Sequence, residues 1–344
     1  MPLTDTPGAH TQGHRATLSD VATLAGVSVS TVSKALNDRS DIAESTKNRI
    51  REIADDIGFT PNSLAKSLLT GRTGTVGLIT HDLEGRFSLP VLMGVEDAFG
   101  INRMSVLLCD ARGDMIREQY HVELLRERRV DGLIVVGARP DPRPTLHTNP
   151  GVPVVYAYAP STSPEDYSII ADHQASGELA VDHLVDIGRS RIAIISGDPT
   201  YGASTERTSA ALNRLAEHGL SPLGGHPLYG TWSEKWGRTA MKRILDKNGD
   251  CDAVICGNDQ IARGALDELK KANKRIPEDV SVIGHDNWRI LAEGSDPQLT
   301  SIDMDLEQIG RIAAARLAEA MDGHKHAGIE TLSPRLVLRG STLA

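Results

Sequence analysis

The sequence is poor in the features that mark most enzymes, secreted proteins and membrane proteins. It has three cysteines in 344 residues, Cys109, Cys251 and Cys256. So odd and sparse a set excludes a disulfide framework and suits a reducing cytoplasm. Cys251 and Cys256 are close enough to share a metal, but no partner pair stands nearby, so they read as buried thiols. No apolar run approaches the roughly 18 residues of a membrane span. Residues 1–15, MPLTDTPGAHTQGHR, lack the apolar stretch of a signal peptide and read as a disordered tail.

Catalytic signatures are also missing. There is no Gly-x-Gly-x-x-Gly after a strand, no P-loop, no His-Glu-x-x-His and no nucleophile elbow. The stretch DKNGDCD at 246–252 resembles the start of a calcium loop, but Cys251 stands where glycine is required and no glutamate closes it. The sequence therefore predicts a protein that is not an enzyme and implies no cofactor. A basic surplus is absent too, since net charge is −9. The acidity is uneven. Residues 15–75 hold 8 Lys/Arg against 7 Asp/Glu, while the rest holds 29 against 39. Charge alone would not identify a nucleic-acid binder.

What is present is apolar periodicity. At 40% apolar and 24% charged, the chain has enough material for two or three globular domains. Residues 16–60 carry short helical patterns and no strand-like run. Residues 61–74 form a short amphipathic piece ending in TGRTGT, a linker. From residue 75 to 344, apolar runs alternate with amphipathic stretches. The runs are TVGLIT (75–80), SVLLCD (105–110), GLIVVG (132–137), PVVYAY (153–158), RIAIISG (191–197), AVICGND (253–259) and VSVIGHD (280–286). Helical patterns occupy 114–129, 174–188, 203–219 and 260–273. This alternation predicts βαβ units, and the strand number favours two doubly wound parallel-sheet lobes with a cleft between them. Ligands of such sheets bind beyond the carboxyl ends of the strands.

The N-terminal segment reads TLSDVATLAGVSVSTVSKALNDRS from Thr17 to Ser40. Thr17 is placed to cap a first helix, and Gly26 to end it. Ser28 caps a second, with Val32 and Leu36 at i, i+4. Helix, short turn and helix make a helix-turn-helix. The outer side of the second helix bears Val29, Ser30, Thr31, Ser33 and Lys34. Slender side chains, hydroxyls and one long donor suit an approach to base edges and phosphates. Spacing alone fits an ordinary helical hairpin equally well. A third helix, 44–57, presents Ile50, Ile53, Ala54 and Ile57.

The runs LSDVATLAGVSVSTVSKALN and IGFTPNSLAKSLLTGRTGTVGLI together resemble the start of a lactose-repressor (LacI/GalR) family regulator. The strand-rich remainder resembles that family's periplasmic-binding-protein-like core, so the likeness runs from residue 17 to the end. It implies an all-α headpiece (16–60), a hinge helix and linker (61–74), and an effector-binding and dimerisation core (75–344). It implies that Val29, Ser30 and Lys34 read bases, while Ser28, Thr31, Ser33 and Asn37 support phosphate contact. Asn62, Ala65 and Leu68 fall on the hinge helix, where Leu68 matches a leucine that wedges into the minor groove. A packing role for Leu68 is the alternative. Ala43 departs from the family's capping Ser or Thr, leaving Ser45 or Asp41 to compensate.

For the core, the resemblance implies ligand contacts from Phe87, Asp172, Arg207, Trp232, Asn258, Asp259 and Asp286. Acids and amides bind hydroxyls, and an aromatic stacks on a sugar face. Each residue has a plainer reading as well. Asp259 suits a helix cap, Arg207 a structural ion pair, and Phe87 a core position. His81, His173 and His285, near strand ends, suit either tuning of specificity and pH response or structural hydrogen bonding. The expectation is a cytoplasmic, nucleoid-associated repressor of carbohydrate-utilisation genes, released from a palindromic DNA operator by a sugar. With no C-terminal heptad helix after VLRGSTLA, the expected assembly is a homodimer. A purine-like corepressor, an activator role and a solute-binding protein are the alternatives.

Overall fold

A computed structural model describes residues 16–36, 39–59, 71–83, 86–101, 104–146, 148, 151–247 and 250–343. Asn37, Asn62, Ala65 and Leu68 lie outside the described residues, as do the tail and the whole of the expected hinge helix. The chain divides into two compact units between Thr73 and Gly74.

The first unit contains α1 (Leu18–Ala25), α2 (Val29–Leu36) and α3 (Glu44–Asp56). Thr17 and Asp20 form a reciprocal capping box at the start of α1. Gly26 ends it at φ 65°, a left-handed backbone that glycine adopts without a Cβ clash. Ser28 Oγ accepts the Thr31 amide at 3.1 Å and opens α2. Val21, Ala22, Ala25, Val32, Ala35, Ile50 and Ala54 are buried together. Four of these seven side chains are single methyls, so the helices approach closely around a small core.

The second unit holds two six-stranded sheets. The first runs in the order β11 (Gly328–Leu332), β5 (Tyr167–Ala171), β4 (Val154–Ala157), β3 (Gly132–Val136), β1 (Thr75–Thr80) and β2 (Ser105–Asp110). All its pairings are parallel. The second runs β12 (Arg335–Val337), β10 (Thr300–Asp303), β9 (Ser281–His285), β8 (Ala253–Cys256), β6 (Ile192–Ser196) and β7 (Leu228–Tyr229). Only β12 is antiparallel. The chain passes between the sheets near Asp172, near Met304–Asp305 and near Ser333–Pro334.

The two doubly wound lobes are thus as expected, and each of the seven apolar runs contains a strand. Five strands were not anticipated: β5, β7, β10, β11 and β12. Four of them lie at sheet edges or have no more than four residues, while β5 has five and lies inside the first sheet. β11, GIETL, alternates half-buried and exposed residues, so it lacks the continuous apolar run of a central parallel strand.

Helices cover the sheets and aim the loops. α4 (Ser88–Ile101) packs on α11 (Leu306–Met321) in the first lobe, and α6 (His173–Asp186) packs on α7 (Gly202–Glu217) in the second. In both pairs the backbones meet through glycine. A Cβ on Gly94 would lie 1.9 Å from the Glu307 carbonyl oxygen, and one on Gly177 would lie 2.3 Å from that of Arg207. The second approach sets the depth of Arg207 between the lobes.

Neither Ser45 nor Asp41 restores the cap of α3. Ala43 sits at its N-cap with φ −60° and ψ 141°, and no side chain caps the helix. A serine fits this backbone. Ala43→Ser is expected to stabilise the headpiece by about 1 kcal/mol, read as an upward shift of its thermal midpoint by circular dichroism. An unchanged or lower midpoint would show that the α3 amides are already satisfied.

Candidate functional site

The outer face of α2 is open. Ser28, Val29, Ser30 and Lys34 are exposed, and Thr31 and Ser33 are half-buried. Val32 and Ala35, on the opposite side, are fully buried. Ser28 Oγ lies 3.0 Å from Ser30 Oγ and 2.8 Å from Thr31 Oγ1, forming a hydroxyl cluster at the helix start. Backbone amides and hydroxyls there suit a phosphate oxygen. Lys34 is engaged: its Nζ donates to Asp41 Oδ2 at 2.6 Å, with both side chains half-exposed. Reaching a base edge requires that this pair open.

The core unit assembles a second cluster where the carboxyl ends of the two sheets' strands meet. Arg86 and Phe87 follow β1, and Tyr158 follows β4. From the second lobe come His173 at the start of α6, Arg207 on α7, Trp232 after β7, and His285 and Asp286 at the end of β9. Asp286 is the centre. Its side chain is only 5% exposed. Arg86 Nη2 donates to its Oδ2, joining the two lobes. His285 Nδ1 lies 2.9 Å from its Oδ1. Burial disfavours the charge, but Arg86 and His285 outweigh that effect and hold the carboxyl well below the usual range.

Aromatic rings enclose this pair. The Arg86 guanidinium lies 4.7 Å from the Phe87 ring centre and 5.1 Å from that of Trp288. Phe87 stacks on Tyr158 at 5.0 Å. Tyr158 and Asp286 both take positive φ, 71° and 92°. Such backbone costs about 1–3 kcal/mol and concentrates at functional sites. A cavity of about 490 Å³ opens on one side of this pair, with Arg86, Phe87, Asp286 and Trp288 in its wall; Arg207, His173, Trp232 and His285 do not line it. That volume suits a small organic ligand.

Arg207 extends the cluster. Its Nη1 lies 3.4 Å from His173 Nδ1, and its Nη2 donates to the Gly257 carbonyl at 3.3 Å. It forms no contact ion pair among the described residues, but the Asp286 carboxylate acts on it through space. Its guanidinium is 5.9 Å from the Trp232 ring, which meets Tyr201 edge-on at 5.6 Å. Burial lowers the His173 pKa to about 2 and that of His285 to about 4, with Arg207 adding to both shifts. Both imidazoles are therefore neutral at pH 7 and do not switch near neutrality. His81 lies elsewhere, in a buried network with Glu118 and Arg143, and acts structurally.

The expected ligand residues thus divide. Phe87, Arg207, Trp232 and Asp286 join the cluster. Asp172 caps α6 through the Ala175 amide at 2.8 Å. The cap of α9 (Asp259–Lys271) is Asn258, whose Oδ1 accepts the Ile261 amide at 2.8 Å. Asp259 is therefore not the cap. It stands in the first turn and accepts from the Trp288 amide and the Ser301 hydroxyl, each at 2.6 Å. Arg86 was not foreseen. A lone arginine in a polar loop has no pattern of its own, and only the tertiary structure brings Asp286 to it.

Burial, then the nearby Asp286 carboxylate, pushes the Asp259 pKa from 3.8 up to about 8. The folded protein therefore holds a proton that the unfolded chain releases between those values, and this group's contribution to stability falls as pH rises through that window. Asparagine mimics the protonated acid. Asp259→Asn is expected to flatten the decline in melting temperature between about pH 5 and about pH 8. An unaltered slope would mean that Asp259 is ionised in the folded state.

Comparison with known proteins bears on both units. Residues 17–62 match the model described as bacterial regulatory proteins, lacI family, and residues 181–342 match a periplasmic binding protein-like domain. The HTH-type transcriptional repressor PurR of Vibrio vulnificus is 31% identical over 328 residues, covering 94% of this chain and 98% of that protein. The HTH-type transcriptional regulator CelR of Thermobifida fusca is 31% identical over 333 residues, covering 94% and 96%. Among solved structures, the Lac repressor dimer bound to operator and the anti-inducer ONPF superposes with a TM-score of 0.73 at 25% identity, covering 96% of this chain and all of that one. The CelR–cellobiose complex gives a TM-score of 0.63 at 27% identity, covering 95% and 100%. A headpiece with an open second helix, a two-lobed core with a polar cluster between its sheets, and likeness over nearly the whole length place this chain in the lacI family of bacterial regulatory proteins.

Proposed function

We propose that the protein is a homodimeric transcriptional repressor whose hold on a palindromic operator is released by a sugar bound between the core lobes. The observation that carries this reading is the Arg86–Asp286 pair, which joins the lobes inside an aromatic-walled cavity. A ligand there competes with or completes that pair. It therefore binds one lobe arrangement better than another, which is the requirement for coupling to a distant site. The similarity to CelR, solved with cellobiose, favours a sugar. The Phe87–Tyr158 stack favours a second reading, a flat heterocycle such as a purine acting as corepressor.

On the DNA side, Val29, Ser30 and Lys34 read base edges from α2, and Ser28, Thr31, Ser33 and Asn37 hold phosphates. Asn62, Ala65 and Leu68 serve the hinge. Paired hinges require two-fold symmetry, so the selected site is a near-palindrome.

Selection of bound duplexes from random DNA, followed by fluorescence anisotropy, tests the reading. Two inverted half-sites are expected, and a single asymmetric half-site would overturn the dimer. Lys34→Ala should cost about 1–3 kcal/mol on the selected site and much less on random duplex. Equal losses on both would make Lys34 a phosphate contact. Mono- and disaccharides, with hypoxanthine and guanine, are then added to the complex. Weakening of operator binding by a sugar supports induction. Strengthening by a purine alone would replace the sugar reading with the corepressor one.

A further inference from the structure

The hydrogen-bonding inventory of the cleft is lopsided. Most of its side-chain acceptors already have a partner within the protein. Asp286 gives one oxygen to Arg86 and the other to His285. Asp259 gives one to the Trp288 amide and the other to the Ser301 hydroxyl. Asn258 Oδ1 and Asp172 Oδ1 cap helices.

Donors remain over. Eight buried side-chain polar atoms have no partner among the described residues, and four belong to this cluster: Arg86 Nε, His173 Nε2, Trp232 Nε1 and His285 Nε2. His173 and His285 are 5% and 3% exposed. Unpaired buried polar groups are costly, and their concentration in one place marks a ligand's contact points.

Neighbouring groups assign the protons. His173 Nδ1 faces Arg207, which only donates, so His173 carries its hydrogen on Nε2. His285 Nδ1 faces a carboxylate, so its hydrogen is on Nδ1 and its Nε2 accepts. The surplus is three donors and one acceptor. Beside them stands Arg207, hydrogen-bonded only to neutral groups, so that two arginines, Arg86 and Arg207, share the single ionised carboxylate of Asp286. Sugar hydroxyls can accept from the donors but bring no charge to balance the second arginine. An oxyanion supplies acceptors and the missing negative charge together.

We propose that the effector is acidic: a carboxylate or phosphate ester on a sugar-sized body, with its oxyanion seated against Arg207. This rests on the sugar-effector reading above. The test is isothermal titration calorimetry of the full chain with glucose, galactose and mannose, each beside its aldonic acid, uronic acid and 6-phosphate. At least one acid or phosphate is expected to bind tenfold or more tightly (a ~1.4 kcal/mol difference) than its neutral parent. Whichever arm binds identifies the anion as carboxylate or phosphate.

Arg207→Gln should abolish that preference. Arg207→Lys, which keeps the charge without the fork, should retain part of it and keeps the test valid if the glutamine variant does not fold. Neutral sugars binding as tightly as their acids would overturn the anionic assignment and leave the sugar reading standing. No binding by any of these compounds, with operator affinity unmoved, would overturn both.

Discussion

A charged carboxylate at 5% exposure is the constraint around which the core is arranged. An ion without water needs partners from the protein or it neutralises. Asp286 receives Arg86 from the opposite lobe and His285 from its own strand end. Burial first, and then the ionised Asp286 nearby, disfavour a second charge, so Asp259 holds its proton. The two acids thus take opposite roles within one short stretch of sheet edge, one as counter-ion and one as hydrogen-bonded strut for Trp288 and Ser301. Trp288, held by that strut, closes over Arg86. The neutral state of the imidazoles follows from the same enclosure.

This arrangement gives the two lobes a defined relation to each other. An ion pair between them holds one arrangement only while both partners are desolvated together. Breaking it leaves each charge to find water or a ligand, and removing one partner of a buried pair costs several kcal/mol (about 3–5). On the proposed reading, a molecule bound there acts on the lobe equilibrium by changing what Arg86 and Asp286 see, and need not make many contacts.

Much of this was legible in the sequence, and the reasons are physical. Central parallel strands are buried on both faces, so TVGLIT and GLIVVG stand out as unbroken apolar runs. Edge strands are not, and GIETL and RLV passed unseen. Helix ends were readable where capping chemistry is strict, as at Thr17, Gly26 and Ser28. They were ambiguous where two candidates adjoin, as with Asn258 and Asp259. Within the site, Asp286 and Arg207 were found through likeness to a family, and Phe87 with them. Arg86 was not. Its significance lies wholly in a partner 200 residues away, and no local pattern encodes such a pairing.

The site also departs from what stability alone would select. Tyr158 and Asp286 hold left-handed backbone that a bulky or β-carbon-bearing residue avoids. Arg207 shares the Asp286 carboxylate with Arg86, and four polar atoms there go unpaired. None of these features recurs in the apolar clusters beneath the sheets, where Val, Ile, Leu and Ala pack without polar demand. Positive φ and unpaired atoms occur singly elsewhere, at Arg112 and Ser281 for example, but their concentration around one cluster is the pattern expected when binding as well as folding shapes the residues. The same features that destabilise the cleft by itself make it selective, because a ligand that satisfies them recovers free energy that an ill-matched one does not.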